Sequence, residues 1–330
     1  MDGINIIKRP RLKKPYMIVA WPGMGEVAFK AATYLVEGLK MQEFASMPSE
    51  EFFFLTGSVI KDGVLDMPDM PQSRFYYWKN PACRPGVKTD GRDLIIFISN
   101  SQPDLSKAEV YSQRIIGLAK SFKVETIIGF ASLPQAVDHT QEAAVWFAAT
   151  HQELKDELKK HNFNFLPEGL VSGMNGLFLG LAKKAGLKGF CLLGEIPLYT
   201  IQIENPKASW SVLKAFLKII NIRLDLGLLS EQAHNMEGEI SKLLDYLKIT
   251  PQVHPGPIGE EEIEKIKKSL AQLTRLPASV KEKIEKLFRE SGSDISRANE
   301  LKSELDMWSV YKEYEDRFLD LFRKNDDKGD

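Results

Sequence analysis

The sequence predicts an α/β protein: a mostly parallel sheet with helices on both faces, followed by an all-helical C-terminal extension. Three observations carry that prediction. Short unbroken apolar runs alternate with amphipathic stretches over about the first 250 residues, as strands covered on both faces require. A Pro- and Gly-rich stretch, 251–259, then reads as a linker. Beyond it, 33 of the 71 residues from Glu260 to Asp330 are charged, yet apolar positions still recur at helical spacing. The expected organisation is a core domain over 1–250, the linker, and a helical extension over 260–330.

Taken in order, Tyr16 to Trp21 is a continuous apolar run ended by Pro22-Gly23, hence a buried strand. Glu26 to Leu39 follows as a helix with Val27, Ala31, Tyr34 and Leu35 near helical spacing, and Phe52 to Leu55 is a second strand candidate. Lys61-Asp62-Gly63, between Ser58-Val59-Ile60 and Val64-Leu65, marks a hairpin turn. Pro68, Pro71, Pro81 and Pro85 make the surroundings loop-rich and place Phe75 to Trp78 on an edge strand. Asp93 to Ser99 and Thr126 to Ser132 are buried strands on either side of a helix, Ser106 to Phe122. The pattern continues as helices Glu153 to His161 and Ser172 to Ala185, a strand Gly189 to Leu193, and helices Pro206 to Ile220 and Ser230 to Leu247. In the extension, Ile263, Ile266, Leu270 and Leu273, then Val280, Ile284 and Leu287, then Leu301, Leu305, Trp308, Tyr311, Phe318 and Phe322 trace two or three amphipathic helices.

Composition narrows the partners. Forty-four Lys and Arg face 45 Asp and Glu, a net charge of -1, which gives no general reason to expect nucleic acid or an anionic membrane surface. Two cysteines and five scattered histidines exclude a disulfide scaffold and offer no zinc or His-x-x-x-His pattern, so no metal and no cofactor are expected. The apolar segment Met17 to Ala20 is too short for an export signal, and no run approaches the roughly 20 apolar residues that span a bilayer. The expected location is the cytoplasm.

Candidate chemistry concentrates where the predicted strands end, the default crevice of an open α/β sheet. Gly23-Met24-Gly25-Glu26-Val27-Ala28 follows a strand and opens a helix, formally matching G-x-G-x-x-G/A. Glycines there let backbone N–H groups approach a phosphate at a helix N-terminus; equally, they make a tight strand-to-helix turn. Glu26 would set a negative charge beside that phosphate, and no acidic residue closes a clear second strand. The neighbouring loops bring Ser99, Asn100, Gln102, Ser132 and Glu195, whose small, amide and carboxylate side chains suit a nucleotide or a peptide backbone, or cap helices. Ser106, three residues before Glu109, reads as such a cap. Ser172 and Asn175 read two ways, as helix capping or as hydroxyl and amide for a ligand, and Gly173, Gly176 and Gly180 as close helix packing. Asp138-His139 invites a general-base reading, but no serine sits in a Gly-x-Ser-x-Gly elbow. Cys191 lies inside a buried strand and reads as an inert thiol.

A set of ordered motifs is familiar. Trp21-Pro22-Gly23-Met24-Gly25, Gly129-Phe130-Ala131-Ser132, Ser172-Gly173-Met174-Asn175-Gly176-Leu177, Leu192-Leu193-Gly194-Glu195-Ile196-Pro197 and Asn205-Pro206-Lys207-Ala208, over about residues 15 to 250, resemble the proteasome assembly chaperone 2 family. The extension is similar to that of longer bacterial members. The resemblance implies a fold like that of purine nucleoside phosphorylase, a protein-binding role in assembling proteasome α-subunits, and no established catalytic residues. Some members carry an ATP-grasp or ATP-dependent carboxylate–amine ligase label, which no motif here supports. Members often have Gly-Glu-Thr-Pro and Asp-Pro where this chain has Gly194-Glu195-Ile196-Pro197 and Asn205-Pro206, and some archaeal ones end in a hydrophobic–Tyr–any motif where this sequence reads Asp327-Lys328-Gly329-Asp330.

Two functional readings follow. One is a non-enzymatic protein-interaction module acting as a homo-oligomer, with a client protein such as proteasome subunits and with the stripe Leu301, Leu305, Trp308, Tyr311, Phe318 and Phe322 as an interaction face. That stripe packs within the extension, against the core, or against another subunit. The other is a nucleoside- or nucleotide-binding enzyme or sensor with its pocket at the strand ends, formed by Gly23, Gly25, Ser99, Asn100, Gln102, Ser132, Ser172, Asn175 and Glu195.

Overall fold

The computed structural model describes residues 3–55, 57–83, 91–249, 278–293, 297–307 and 311–326. The apolar runs form the centre of a nine-stranded sheet. β2 (Tyr16–Ala20), β7 (Leu94–Ser99), β8 (Thr126–Gln135) and β11 (Lys188–Pro197) lie side by side and parallel, in the order β7-β2-β8-β11. Antiparallel pairings extend the sheet on both flanks. β6 (Ser73–Trp78), β3 (Gln42–Met47) and β1 (Asn5–Ile6) continue beyond β7, and β9 (Val145–Ala149) joins β11, with β10 (Asn164–Phe165) parallel to it at the rim. A separate hairpin pairs β4 (Val59–Lys61) with β5 (Val64–Asp66).

Alternation along each central strand sorts side chains to two cores. Met17 and Val19 of β2, with Ile95 and Phe97 of β7, face α2 (Ala108–Ser121) and α4 (Met174–Lys184). Ile18, Ala20, Leu94 and Ile96 face α1 (Val27–Gly38) and α5 (Pro206–Ile220). The first core is aromatic: the Trp21 ring centroid lies 5.3 Å from that of Phe97 and 5.5 Å from that of Phe178. The second is mainly aliphatic, and α3 (Gln152–Lys159) and α6 (Gly227–Ile249) add Leu158 and Leu229 to it. Each such fully buried side chain stabilises by about 1.5–3 kcal/mol.

Several expectations are corrected. Phe52 to Leu55 is not a strand; Phe52 and Phe53 are buried by packing on Tyr111, with no sheet partner. β6 is not an edge, because it pairs with both β3 and β7. Strands β3 and β9 were not expected. α2 starts at Ala108 behind a short 3-10 turn whose cap is Asp104, accepting from the Ser106 N–H, so Ser106 is the capped residue and not the cap. Of the α4 glycines, Gly176 leaves room for the Val171 carbonyl of the segment that leads into the helix and not for a neighbouring helix, and Gly180 faces open space.

The extension supplies α7 (Ala278–Ser293), α8 (Ala298–Met307) and α9 (Tyr311–Asp326). Leu301, Leu305 and Phe318 of the predicted stripe are buried with Ile284, Leu287 and Phe288, and Tyr311 packs partly buried against them. This cluster also seats on Met24 and Ile201 of the α/β core, so these four stripe residues are packed within their own chain. Phe322 is instead exposed. Trp308, the linker 251–259 and the positions Ile263 to Leu273 lie outside the described residues.

Candidate functional site

The bend after β2 is built first, because everything at the strand ends rests on it. Gly25 has φ +64°, the left-handed region that favours glycine, and a Cβ there would press on Asn205 and Ile196. Its N–H donates to the Ile201 carbonyl at 3.0 Å and its carbonyl accepts from the Asn205 N–H at 2.8 Å. The Glu26 N–H donates to the Gly23 carbonyl at 2.9 Å. Two donors of the G-x-G-x-x-A bend are thus engaged by the protein itself. Glu26 has a left-handed backbone, and burial, reinforced by Glu204, pushes its carboxyl up to about 7. Lys30 forms an ion pair with Glu204 beside it.

Two amide side chains lock the crevice. Asn175, buried on the first turn of α4, accepts from the Trp21 N–H at 3.0 Å and donates to the Trp21 carbonyl at 2.9 Å. Gln102, in the loop after β7, donates to the Pro22 carbonyl at 2.6 Å and accepts from the Met174 N–H at 3.0 Å. The α4 N-terminus, with Gly173 at its N-cap position, is therefore capped by Gln102, and Ser172 is exposed without capping it. Of the two readings of Ser172, capping is excluded.

Ser99 belongs to a buried network. Its hydroxyl donates to the Ser101 carbonyl at 2.7 Å and accepts from Ser73 at 3.2 Å. The Ser73 hydroxyl lies 2.9 Å from that of Tyr111, which also accepts from the Trp21 indole N–H at 3.3 Å. Burial pushes the Tyr111 phenol up, so it stays a neutral hydrogen-bonding group. Asn100 joins neighbouring strand ends, accepting from the Gln72 N–H at 2.7 Å. Ser132 is half-buried opposite Gly194 in the β8–β11 register. Burial likewise pushes the Cys191 thiol up to about 12, fitting its expected inertness.

Glu195 has partners of its own. Its carboxylate accepts from the Trp146 indole N–H at 2.7 Å and lines a small cleft of about 30 Å³ together with His139, Lys207 and Glu237. That volume holds about one water. His139 Nε2 lies 2.8 Å from the Ser241 hydroxyl and Nδ1 lies 2.9 Å from that of Tyr199, with an Asp138 oxygen at 3.5 Å. Ser241 sits within α6 and not in a strand-to-helix elbow. These contacts, with the ion pair Lys207–Glu237, fasten α6 to the loop after β8. Sequence reading noticed His139 but missed its partners Tyr199 and Ser241, which lie 60 and 102 residues away and carry no motif, and it quoted Lys207 in a motif without linking it to His139. Among the described residues, no group of three or more His, Cys, Asp or Glu is placed to hold a metal ion, and no helix is long and apolar enough to cross a membrane.

With this geometry in hand, comparison with known proteins adds a family. The model of the PAC2 family matches residues 17–244. The uncharacterised protein MJ1210 of Methanocaldococcus jannaschii is 28% identical over 263 residues, 77% of this chain and 93% of that protein. Among solved structures, Pyrococcus furiosus PbaB, an archaeal proteasome activator, aligns with a TM-score of 0.62 and 27% identity over 74% of this chain and 99% of its own. PbaA of the same organism, an archaeal homologue of proteasome-assembly chaperone, aligns with a TM-score of 0.55 and 22% identity over 76% of this chain and 100% of its own, a likeness of fold.

Proposed function

The chain belongs to the PAC2 family, and on that premise we propose that it is a protein-binding module acting on a proteasome-related partner, as a homo-oligomer and without catalysis of its own. The observation that carries this reading is the likeness to PbaB, an archaeal proteasome activator, along nearly all of that protein. The strand ends support it as well. The groups that would bind a nucleotide, the Gly25 N–H and the Gln102 and Asn175 amides, are hydrogen-bonded to the protein's own backbone, and Met24 and Ile201 beside them lie against the extension. The exposed apolar side chains of the β4–β5 hairpin offer the kind of surface through which proteins meet partners. A cytoplasmic location suits such a partner.

The test is co-elution of the purified full chain with purified proteasome α-subunits of the same organism, by size-exclusion chromatography with light scattering. The reading expects a complex heavier than either component, and an altered rate of α-subunit assembly or proteasome peptide hydrolysis. Separate elution together with unchanged rates would overturn it.

A further inference from the structure

Two surfaces remain without a partner, and they complement one another. The first is the β4–β5 hairpin. Its turn is Asp62-Gly63, both at positive φ as a two-residue hairpin requires. It forms a sheet of only two strands, which in water is marginally stable unless something packs on it. Ile60 and Leu65 face each other across the strands, and with Val64 and Met67 they are 65–70% exposed. From Gly57 to Met70 one cation, Lys61, stands against Asp62, Asp66 and Asp69. The hairpin is thus apolar and acidic. It lies near the C-terminal ends of the parallel strands, because β6, which follows it, begins at Ser73 opposite Ser99.

The second surface is a groove of about 550 Å³ at the opposite end of the sheet, where α5 ends and the chain turns into α6. Leu217, Ile222, Leu224 and Leu226 give it an apolar lining, and Lys214, Lys218 and Arg223 stand against the single carboxylate of Asp225. Lys214 and Lys218 are four apart on one helix, where like charges repel. None of the three cations has a carboxylate within ion-pair distance among the described residues; Lys214 lies over the Trp210 ring at 4.5 Å and Lys218 over Phe163 at 5.8 Å. A nucleic-acid backbone would meet the cations but leave the apolar lining unused. An acidic segment with apolar side chains satisfies both.

We infer that the groove receives the β4–β5 hairpin of a second copy of this chain. Asp62 and Asp66 meet Lys214, Lys218 and Arg223, and Ile60 and Leu65, paired on one face of the hairpin, cover the apolar lining. Because hairpin and groove lie at opposite ends of the sheet, the contact is head-to-tail, and repetition gives a ring if the rotation closes and a filament if it does not. This interface rests on the homo-oligomer reading and names the surfaces that would build it.

The test uses the full chain and two charge reversals: Lys214→Glu with Lys218→Glu in the groove, and Asp62→Lys with Asp66→Lys in the hairpin. Far-UV circular dichroism confirms that each folds, and the milder pair Lys214→Gln with Lys218→Gln stands in should the groove reversal not. Analytical ultracentrifugation reads mass against concentration. The expected result is that the parent chain associates, each variant alone dissociates at least tenfold more readily, and a 1:1 mixture recovers parent-like mass because both contacts become complementary again. A monomeric parent, unchanged association in both variants, or no recovery on mixing would overturn the inference. Capture of α-subunits is read separately: a chain that still associates after both reversals and still binds α-subunits loses this interface alone.

Discussion

The two ends of the sheet treat polar groups in opposite ways. At the C-terminal ends of the parallel strands, the Asn175 and Gln102 amides each hydrogen-bond to backbone on both sides, and the extension packs on Met24 and Ile201 of the adjoining loops. At the other end, Lys214, Lys218 and Arg223 line an open groove with no carboxylate paired to them among the described residues. The first end resembles a core that happens to be polar. The second resembles a surface awaiting a partner. Polar residues in a loop say little about function until the atoms that engage them are known. Buried groups with complete hydrogen bonds hold the fold, and exposed charges without counter-charges are available for binding.

Substitutions should separate the two ends by stability. The largest effect is expected for Asn175→Ala, which removes two buried hydrogen bonds and leaves the Trp21 N–H and carbonyl unsatisfied. Urea denaturation should show a loss of about 3 kcal/mol; a loss below about 1 kcal/mol would break the contrast. Next comes Glu26. Its folded carboxyl titrates at about 7 against an ordinary value of 4.5. Between those pH values the folded chain binds more protons than the unfolded chain. This contribution is therefore fully present below about pH 4.5 and lost as pH rises through 7, by about 2 kcal/mol after allowing for partial exposure. Glu26→Gln should flatten the stability profile across that window, and an unaltered slope would refute the burial argument. Gln102→Ala should cost about 1–2 kcal/mol by uncapping α4. Smallest of all, Lys214→Gln should leave stability within about 0.5 kcal/mol or raise it slightly, because it relieves the repulsion with Lys218. A large loss there would make the groove structural and erase the difference between the ends.

The central strands were legible because β2, β7 and β8 are continuous apolar runs buried on both faces. β3 was not, since Gln42 and Glu43 open it and only Phe44, Ala45 and Met47 are buried. Phe52 to Leu55 misled for the converse reason: aromatic residues pack equally well from a loop. At the strand ends, the loops and residue types were legible, and several of the named residues do lie there. What they bind was not, because Asn175 finds Trp21 across 154 positions and Gln102 finds Met174 across 72, and no local pattern records such pairings. The stripe of the extension was legible as something that must be buried, and the Met24 and Ile201 side of its burial was not, because it requires the folded core.

The most direct test of the claim that the strand-end amides serve the fold is a thermal-shift titration of the full chain with adenosine, ATP and NAD, repeated on Gln102→Ala. The account predicts no change in Tm for the parent chain with any of the three. A nucleotide that stabilised it by about 2.7 kcal/mol at 100 times its dissociation constant, and failed to do so with Gln102→Ala, would contradict it.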